Sequence, residues 1–351
     1  ADRAADRRRD ALFPVRILLD LQRQSAQGRC HRGSRRAQNY RNESVRGQLL
    51  FTPDPDFEVR IIGDYAKQEQ DHVLSVFAGL RTTYLNGATI PNTFAQRAAR
   101  FPGYTLPAFR PFDRIGEADS HYQSNMEGYG VSGEVNWDFG SAALTAITAY
   151  RWWDWNPAND GDSTSLPITT KAQQANRQRQ FSQELRLASK GNRTVDYVIG
   201  AYYFWQTVKG YGATRYGSAA ALWNLPTANQ TIANPALNDF EANSTSTPET
   251  RTFALFGQTD WHLSDALTLT TGLRWTHEKK EGAFSQFWVD GADLSGFAPA
   301  QVTAINAIRT QFNPVTSFAT KFSDNSLSGL VTLNWKVAAD ASIYEIGRAH
   351  V

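Results

Sequence analysis

At 351 residues, with 10 Trp, 13 Tyr and 20 Phe but a single Met and a single Cys, the chain is long enough for one large all-β domain or two ordinary ones. No stretch approaches the ~18 consecutive apolar residues of a membrane helix, which excludes helical spans but not membrane strands, since these need only about ten residues of alternating character. The net charge of +2 does not mark a nucleic-acid binder, because residues 1–46 hold twelve Arg, no Lys and five acids and leave residues 47–351 net negative.

Residues 1–39 show neither a helical nor a strand period, contain the lone Cys30, and lack an apolar core followed by a small-residue cleavage site. Text this rich in Arg and Ala is expected from a GC-rich gene read out of frame, with a disordered basic arm as the alternative. Regular patterning starts near residue 40. Glu43–Thr52 alternates, with Val45, Gly47, Leu49 and Phe51 on one face. Pro53-Asp54-Pro55-Asp56 turns the chain, and Phe57–Lys67 alternates again, which predicts an antiparallel hairpin. The pattern recurs at Glu127–Phe139 and Ala142–Trp153, joined by Gly140-Ser141, and at Arg179–Ser189 and Val195–Val208, joined by Lys190–Arg193. Both faces of Val195–Val208 are apolar, so its register stays open. Phe253–Leu263 and Leu267–Lys280 follow around Ser264-Asp265, then Leu327–Trp335 and a strand beginning at Ala341. The last seven residues, EIGRAHV (345–351), read as an adapter-derived scar. The expected organisation is thus 1–39 outside the fold, 40–344 an all-β domain, and 345–351 outside it again.

Between the hairpins lie long connections at about 70–122, 156–176, 210–250 and 281–322. Long and short connections therefore alternate. Connections beyond ~15 residues are uncommon in compact domains, but outer-membrane barrels combine short periplasmic turns with long extracellular loops. Aromatics agree: Tyr129, Trp137, Tyr150, Trp152, Trp153, Trp205, Trp261, Trp275 and Trp335 fall near strand ends, where amphipathic rings meet the membrane boundary. A β-sandwich core also alternates, but it would not place Arg, Glu, Asp and Asn on the face opposite the aromatics without solvent there.

The stretches SVRGQLLFTP (44–53), FEVRIIGDY (57–65), FSQELRLAS (181–189), DYVIGAYYF (196–204), FALFGQTDWHLSDALTLTTGLRWTHEKKE (253–281) and DNSLSGLVTLNWKVAADASIY (324–344) together resemble the barrel domain of the TonB-dependent receptor family. The resemblance covers roughly residues 40–344. It implies a partial antiparallel transmembrane β-barrel in the bacterial outer membrane, with about ten strands of the ~22 that plugged outer-membrane transporters carry. The family's plug, TonB box and terminal aromatic residue have no counterpart here. It further implies outer-membrane lipid as surroundings, a TonB energising complex acting through the plug, and a small-molecule or metal-chelate ligand. Siderophore-bound iron comes first among the ligands, with cobalamin or an oligosaccharide next. A passive porin-like channel and a soluble secreted β-sandwich or carbohydrate-binding protein are the alternatives.

Nothing in the residues suggests an enzyme, a cofactor or a resident metal. The six histidines, His31, His72, His121, His262, His277 and His350, are scattered, and no pair has metal-ligand spacing. Asp160 and Asp162 read as solvated loop acids. The charges expected to face the lumen are Arg60, Asp64, Glu134, Glu184, Arg186, Arg274 and Glu278, which would solvate the wall and bind the plug. In the long connections, Arg81, Tyr84, Tyr104, Arg110, Tyr211, Arg215, Tyr216 and Trp288 are the candidate ligand contacts, because aromatics and Arg bind flat or anionic groups well.

Overall fold

The computed structural model describes residues 15–26, 30–32, 35–37, 39–71, 75–120, 122–191 and 194–350. In chain order the strands are β1 (Val15–Ala26), β2 (Cys30–Arg32), β3 (Arg35–Ala37), β4 (Tyr40–Asp54), β5 (Phe57–Gln70), β6 (Ile115–Gly116), β7 (Gln123–Asp138), β8 (Ala142–Asn159), β9 (Thr169–Ser189) and β10 (Val195–Tyr216). They continue with β11 (Glu241–Ser246), β12 (Glu249–His262), β13 (Leu267–Asp290), β14 (Thr316–Ala338) and β15 (Ala341–His350). Short β2, β3 and β6 form a small separate sheet, and the other twelve form one large one.

All ten strands expected from alternation are present, each paired antiparallel to its chain neighbour. β11 prolongs the line of β12 beyond Thr247-Pro248, so β10 and β13 flank both. Two segments set apart in the sequence also carry strand structure. β1 lies along β4 from Val15↔Phe51 to Ala26↔Tyr40, and Glu345–His350 continues β15 against β14. The rest of that N-terminal segment (1–14, 27–29, 33–34 and 38), with His72 and His121, lies outside the described residues.

The strands outrun their predicted ends. β8 and β9 enclose only residues 160–168, β10 and β11 enclose 217–240, and β13 and β14 enclose 291–315. Some extensions, such as Thr169–Arg177 (TTKAQQANR), are polar on both faces. A search for apolar alternation cannot see them, because pairing in water needs no apolar face.

Residues directly opposite one another share a face, so the register sorts the whole sheet. One row reads Val59, Val135, Ala146, Leu185, Ala201, Leu255, Trp275 and Leu327. Along that side Val131, Trp137, Leu185, Ile199, Leu255, Leu273, Trp275, Val331, Leu333 and Trp335 are all exposed. Trp137 and Tyr129 stand eight positions apart on β7 with only Val135, Gly133 and Val131 between them on this face. At about 3.3 Å per residue that is about 26 Å along the strand, matching an apolar band of about 25 Å between aromatic girdles. Polar side chains within the band bond to each other. Thr148 Oγ1 donates to Gln183 Oε1 at 2.5 Å, and Thr259 and Thr271 hydroxyls meet at 2.7 Å.

The girdle reading needs one correction. Trp152 and Trp153 are consecutive on β8, and a period of two sends them to opposite faces. Trp152 stacks on Tyr129 at 5.2 Å on the apolar side, while Trp153 stands with Gly128 and Gln178 on the other.

Candidate functional site

The polar face is built from the residues that alternate with the apolar band. A row across it runs Glu58, Asn136, Thr145, Arg186, Gly200, Phe256, Arg274 and Ser328, and the next runs Arg60, Glu134, Ile147, Glu184, Tyr202, Ala254, Thr276 and Ser326. Glu278 lies one row further and Asp64 two. The register thus brings Arg60, Asp64, Glu134, Glu184, Arg186, Arg274 and Glu278 to one face. It also settles β10, whose Gly200, Tyr202 and Phe204 join that face.

Most of these charges are paired locally. Arg60 meets Glu58 at 3.2 Å, Arg186 meets Glu184 at 3.0 Å, and Lys280 meets Glu278 at 2.8 Å. Arg151 reaches across to both Asp64 oxygens at 2.9 Å. Arg274 instead lies over the Phe256 and Tyr202 rings at 5.6 and 6.0 Å, a cation–π arrangement. Half-exposed pairs of this kind add little stability, but they set a wall of balanced charge.

At the long-loop end the connections pack together. Helices α1 (Phe94–Ala98), α2 (Ala220–Asn224), α3 (Gln230–Leu237) and α4 (Pro299–Phe312) are held in one apolar cluster with Ile168, Phe240 and Ala242. Asn229 caps α3 by accepting from Thr231 N, and Pro299 opens α4 at a position where a missing N–H costs nothing. Phe240 is fully buried, stacked on Tyr216 at 6.2 Å and edge-on to Trp288 at 5.7 Å. Gly217 is required where β10 enters the cluster, because a Cβ there would lie 2.3 Å from the Pro167 carbonyl oxygen. Ala242 and Trp288 pair directly and follow Thr214 on the polar-face register, so the cluster rests on the side of the sheet that carries the wall charges.

The eight candidate loop contacts divide. Tyr104, Tyr216 and Trp288 come together against the cluster. The Tyr104 hydroxyl donates to Glu117 at 2.9 Å, and burial together with that carboxylate holds the phenol well above its ordinary pKa. Trp288 Nε1 donates to the Asn313 carbonyl at 2.8 Å, and Asn313 Nδ2 donates to the Tyr216 hydroxyl at 3.1 Å. Arg215 lies among Asp239, Glu241 and Asp290 at 3.1–3.5 Å. Arg81, Tyr84 and Arg110 are exposed and apart from the cluster. Tyr211 is exposed on the apolar-face register.

A protein-family model described as TonB dependent receptor-like, beta-barrel matches residues 77–344. The chain belongs to the TonB-dependent receptor β-barrel family. No curated protein matches its sequence. Solved structures share the fold of this receptor barrel. They include the ferric yersiniabactin uptake receptor of Yersinia pestis (16% identity, TM-score 0.61, 94% of this chain and 41% of that one). The ferric-catecholate import receptor of E. coli K12 in its open form is similar at 14% identity and TM-score 0.57, over 95% and 50%. The siderophore receptor PiuA of Acinetobacter baumannii is similar at 11% identity and TM-score 0.53, over 94% and 44%. The chain spans half or less of the length of these receptors.

Sequence reading missed two features of this receptor barrel. One is α4, whose signal was present: Val302, Ile305, Ile308 and Phe312 recur at helical spacing behind Pro299. The other is a meeting of Asp119, 41 positions away, with Asp160 and Asp162, their carboxylates within 4.8 Å. Three carboxylates could supply oxygen ligands to a hard cation, but these are largely committed to the backbone. Asp160 accepts from the N–H groups of Asp119, Asp162 and Ser163, and Asp162 from those of Thr164 and Thr169.

Burial, then the charges of Asp162 and Asp160, push Asp119 up to about 6. A carboxyl with a raised folded-state pKa stabilises the fold fully below its ordinary range and loses that contribution as pH rises through the folded value. The 117–120 and 160–169 segments are therefore expected to loosen between about pH 4 and pH 6, by on the order of 1 kcal/mol after solvent screening. Asp119→Asn should flatten that dependence, read as amide exchange across these residues at several pH values.

His262, one of the scattered histidines, makes a specific polar contact. Its Nε2 lies 3.0 Å from Asp196 Oδ2, and Ser189 Oγ donates to Asp196 Oδ1 at 2.9 Å. The carboxylate sits between hydroxyl and imidazole, so this is a tie between two short turns and not a nucleophile–base pair.

Proposed function

We propose that this chain forms wall and loops of an outer-membrane receptor that takes up a scarce small ligand, siderophore-bound iron first, using energy relayed through TonB. The observation that carries the reading is the division of one sheet into a girdled apolar face and a charge-balanced face, with a packed loop cluster over the charged side. An apolar face banded by Trp and Tyr suits lipid, and a charged face suits a hydrated interior holding a plug. The printed names of the structural neighbours, concerned with ferric yersiniabactin uptake, ferric-catecholate import and siderophore reception, support the ligand class. TonB-dependent receptors are transporters and not enzymes. In this reading the seven wall charges solvate the interior and meet the plug, and Arg81, Tyr84 and Arg110 make first contact with ligand.

Uptake of radiolabelled ferric siderophore by cells carrying the gene is expected to fall to background when TonB is deleted. Uptake that persists without TonB contradicts the proposal.

A further inference from the structure

The polar face carries a feature that the wall charges do not explain. Near its long-loop end Trp153 and Trp155 project from β8 to the same side, stacked at 6.1 Å and 26°. Gly128 lies opposite Trp153 on β7, and a Cβ there would stand 3.6 Å from the indole Cδ1 and 3.2 Å from the Trp152 carbonyl. The glycine thus relieves the backbone carbonyl of Trp152, while the indole of Trp153 would be in ordinary contact with a Cβ. Trp155 Nε1 donates to Ser124 Oγ at 3.0 Å, which fixes the second indole.

On the other flank stand amides. Gln178 faces Trp153 directly on β9, and Gln180 and Gln206 follow on the same face. Gln180 Oε1 accepts from Gln178 at 3.2 Å and from Gln206 at 3.4 Å. The adjacent wall cation, Arg151, has its charge matched by both oxygens of Asp64. Two stacked ring faces beside a row of amides, with the nearby charge cancelled, offer little to a polyanion. They suit a neutral ring that has one C–H face and a rim of hydroxyls, since amides both donate and accept.

We infer that Trp153, Trp155, Gln178, Gln180 and Gln206 form a subsite for a saccharide unit, the rings receiving its C–H face and the amides its hydroxyls. This rests on the uptake reading of the polar face as a ligand path.

Calorimetric titration of the full chain in detergent with maltohexaose, cellohexaose and xylohexaose tests it, with ferric tris-catecholate as the anionic probe. At least one saccharide is expected to bind saturably. Trp153→Ala and Trp155→Ala should each weaken it roughly tenfold or more, and Trp152→Ala, on the opposite face, should leave it unchanged. Trp153→Phe keeps a flat ring and should bind within a few-fold of wild type, while Gln180→Ala should weaken binding. These two variants carry the test if the alanine variants lose strand circular dichroism. Failure of all three saccharides to bind overturns the subsite, as does wild-type binding by the folded alanine variants, or by Gln180→Ala where these do not fold. Tris-catecholate binding that alone depends on Trp153 overturns the saccharide class and leaves the uptake reading standing. Saccharide binding that follows these variants, in a receptor whose uptake ignores TonB, overturns the uptake reading and leaves the subsite.

Discussion

Truncating Phe240 to Ala is expected to open the loop cluster at a cost of about 3–5 kcal/mol, the range for removing a large buried ring, while the strands stay paired. Phe240 is fully buried in a cluster where four connections converge. Its ring also supports Arg309, which is 8% exposed and lies 5.4 Å from the ring centroid. The Arg309 guanidinium donates to the carbonyls of Pro235 and Ala236 at the end of α3 and to that of Ala292. A cation at a helix C-terminus is favoured by the exposed carbonyl dipoles, and desolvation lowers the Arg309 pKa from its ordinary value. Losing the ring therefore leaves a cavity and loosens the cation that ties α3 to α4. In hydrogen exchange, amides of 230–237 and 299–312 should lose protection roughly a hundredfold or more, while those of 267–280 keep theirs. Unchanged protection in the helices would show that the cluster does not hold the loops.

The second large effect is expected in the wall. Leu185 is 44% exposed on the apolar face, midway along the banded part of β9 and directly between Glu184 and Arg186 on the polar face. Leu185→Arg places a charge against lipid and is expected to destabilise the assembled barrel by about 2–4 kcal/mol, the midplane cost for Arg in such barrels. Ser132→Arg, on the polar face of β7, should change stability by less than about 0.5 kcal/mol. Urea unfolding in lipid vesicles reads both. Equal effects at the two positions would remove the distinction between the faces.

These two sites mark what could be read from the sequence. Leu185, Glu184 and Arg186 were legible because a strand half in lipid must alternate, and the seven wall charges follow from that period. The Phe240 cluster was not legible, because its partners come from four connections and no local period announces a packing made by distant chain segments. Asp119 with Asp160 and Asp162 failed for the same reason. Trp153 was misplaced for another: nearness to a strand end suggested a girdle, but position along a strand does not set the face, and the alternation that does was already visible at Trp152. β10 shows the converse limit. Its Tyr202, Phe204 and Val208 lie on the polar face, so hydrophobicity could not fix its register, and only pairing with Glu184 and Arg186 did.

The most direct test of the central claim, that one face of this sheet meets lipid and the other a hydrated interior, is single-cysteine scanning after Cys30→Ser removes the lone native thiol. Cysteines at Leu185, Ile199 and Leu255 on one face, and at Ser132, Thr252 and Ser326 on the other, are labelled in the membrane-assembled protein. The account predicts that the first three resist a water-soluble maleimide and that probes attached there are quenched by chain-labelled lipids, with the second three behaving oppositely. Uniform reactivity across all six, or quenching on the charged face, would contradict it.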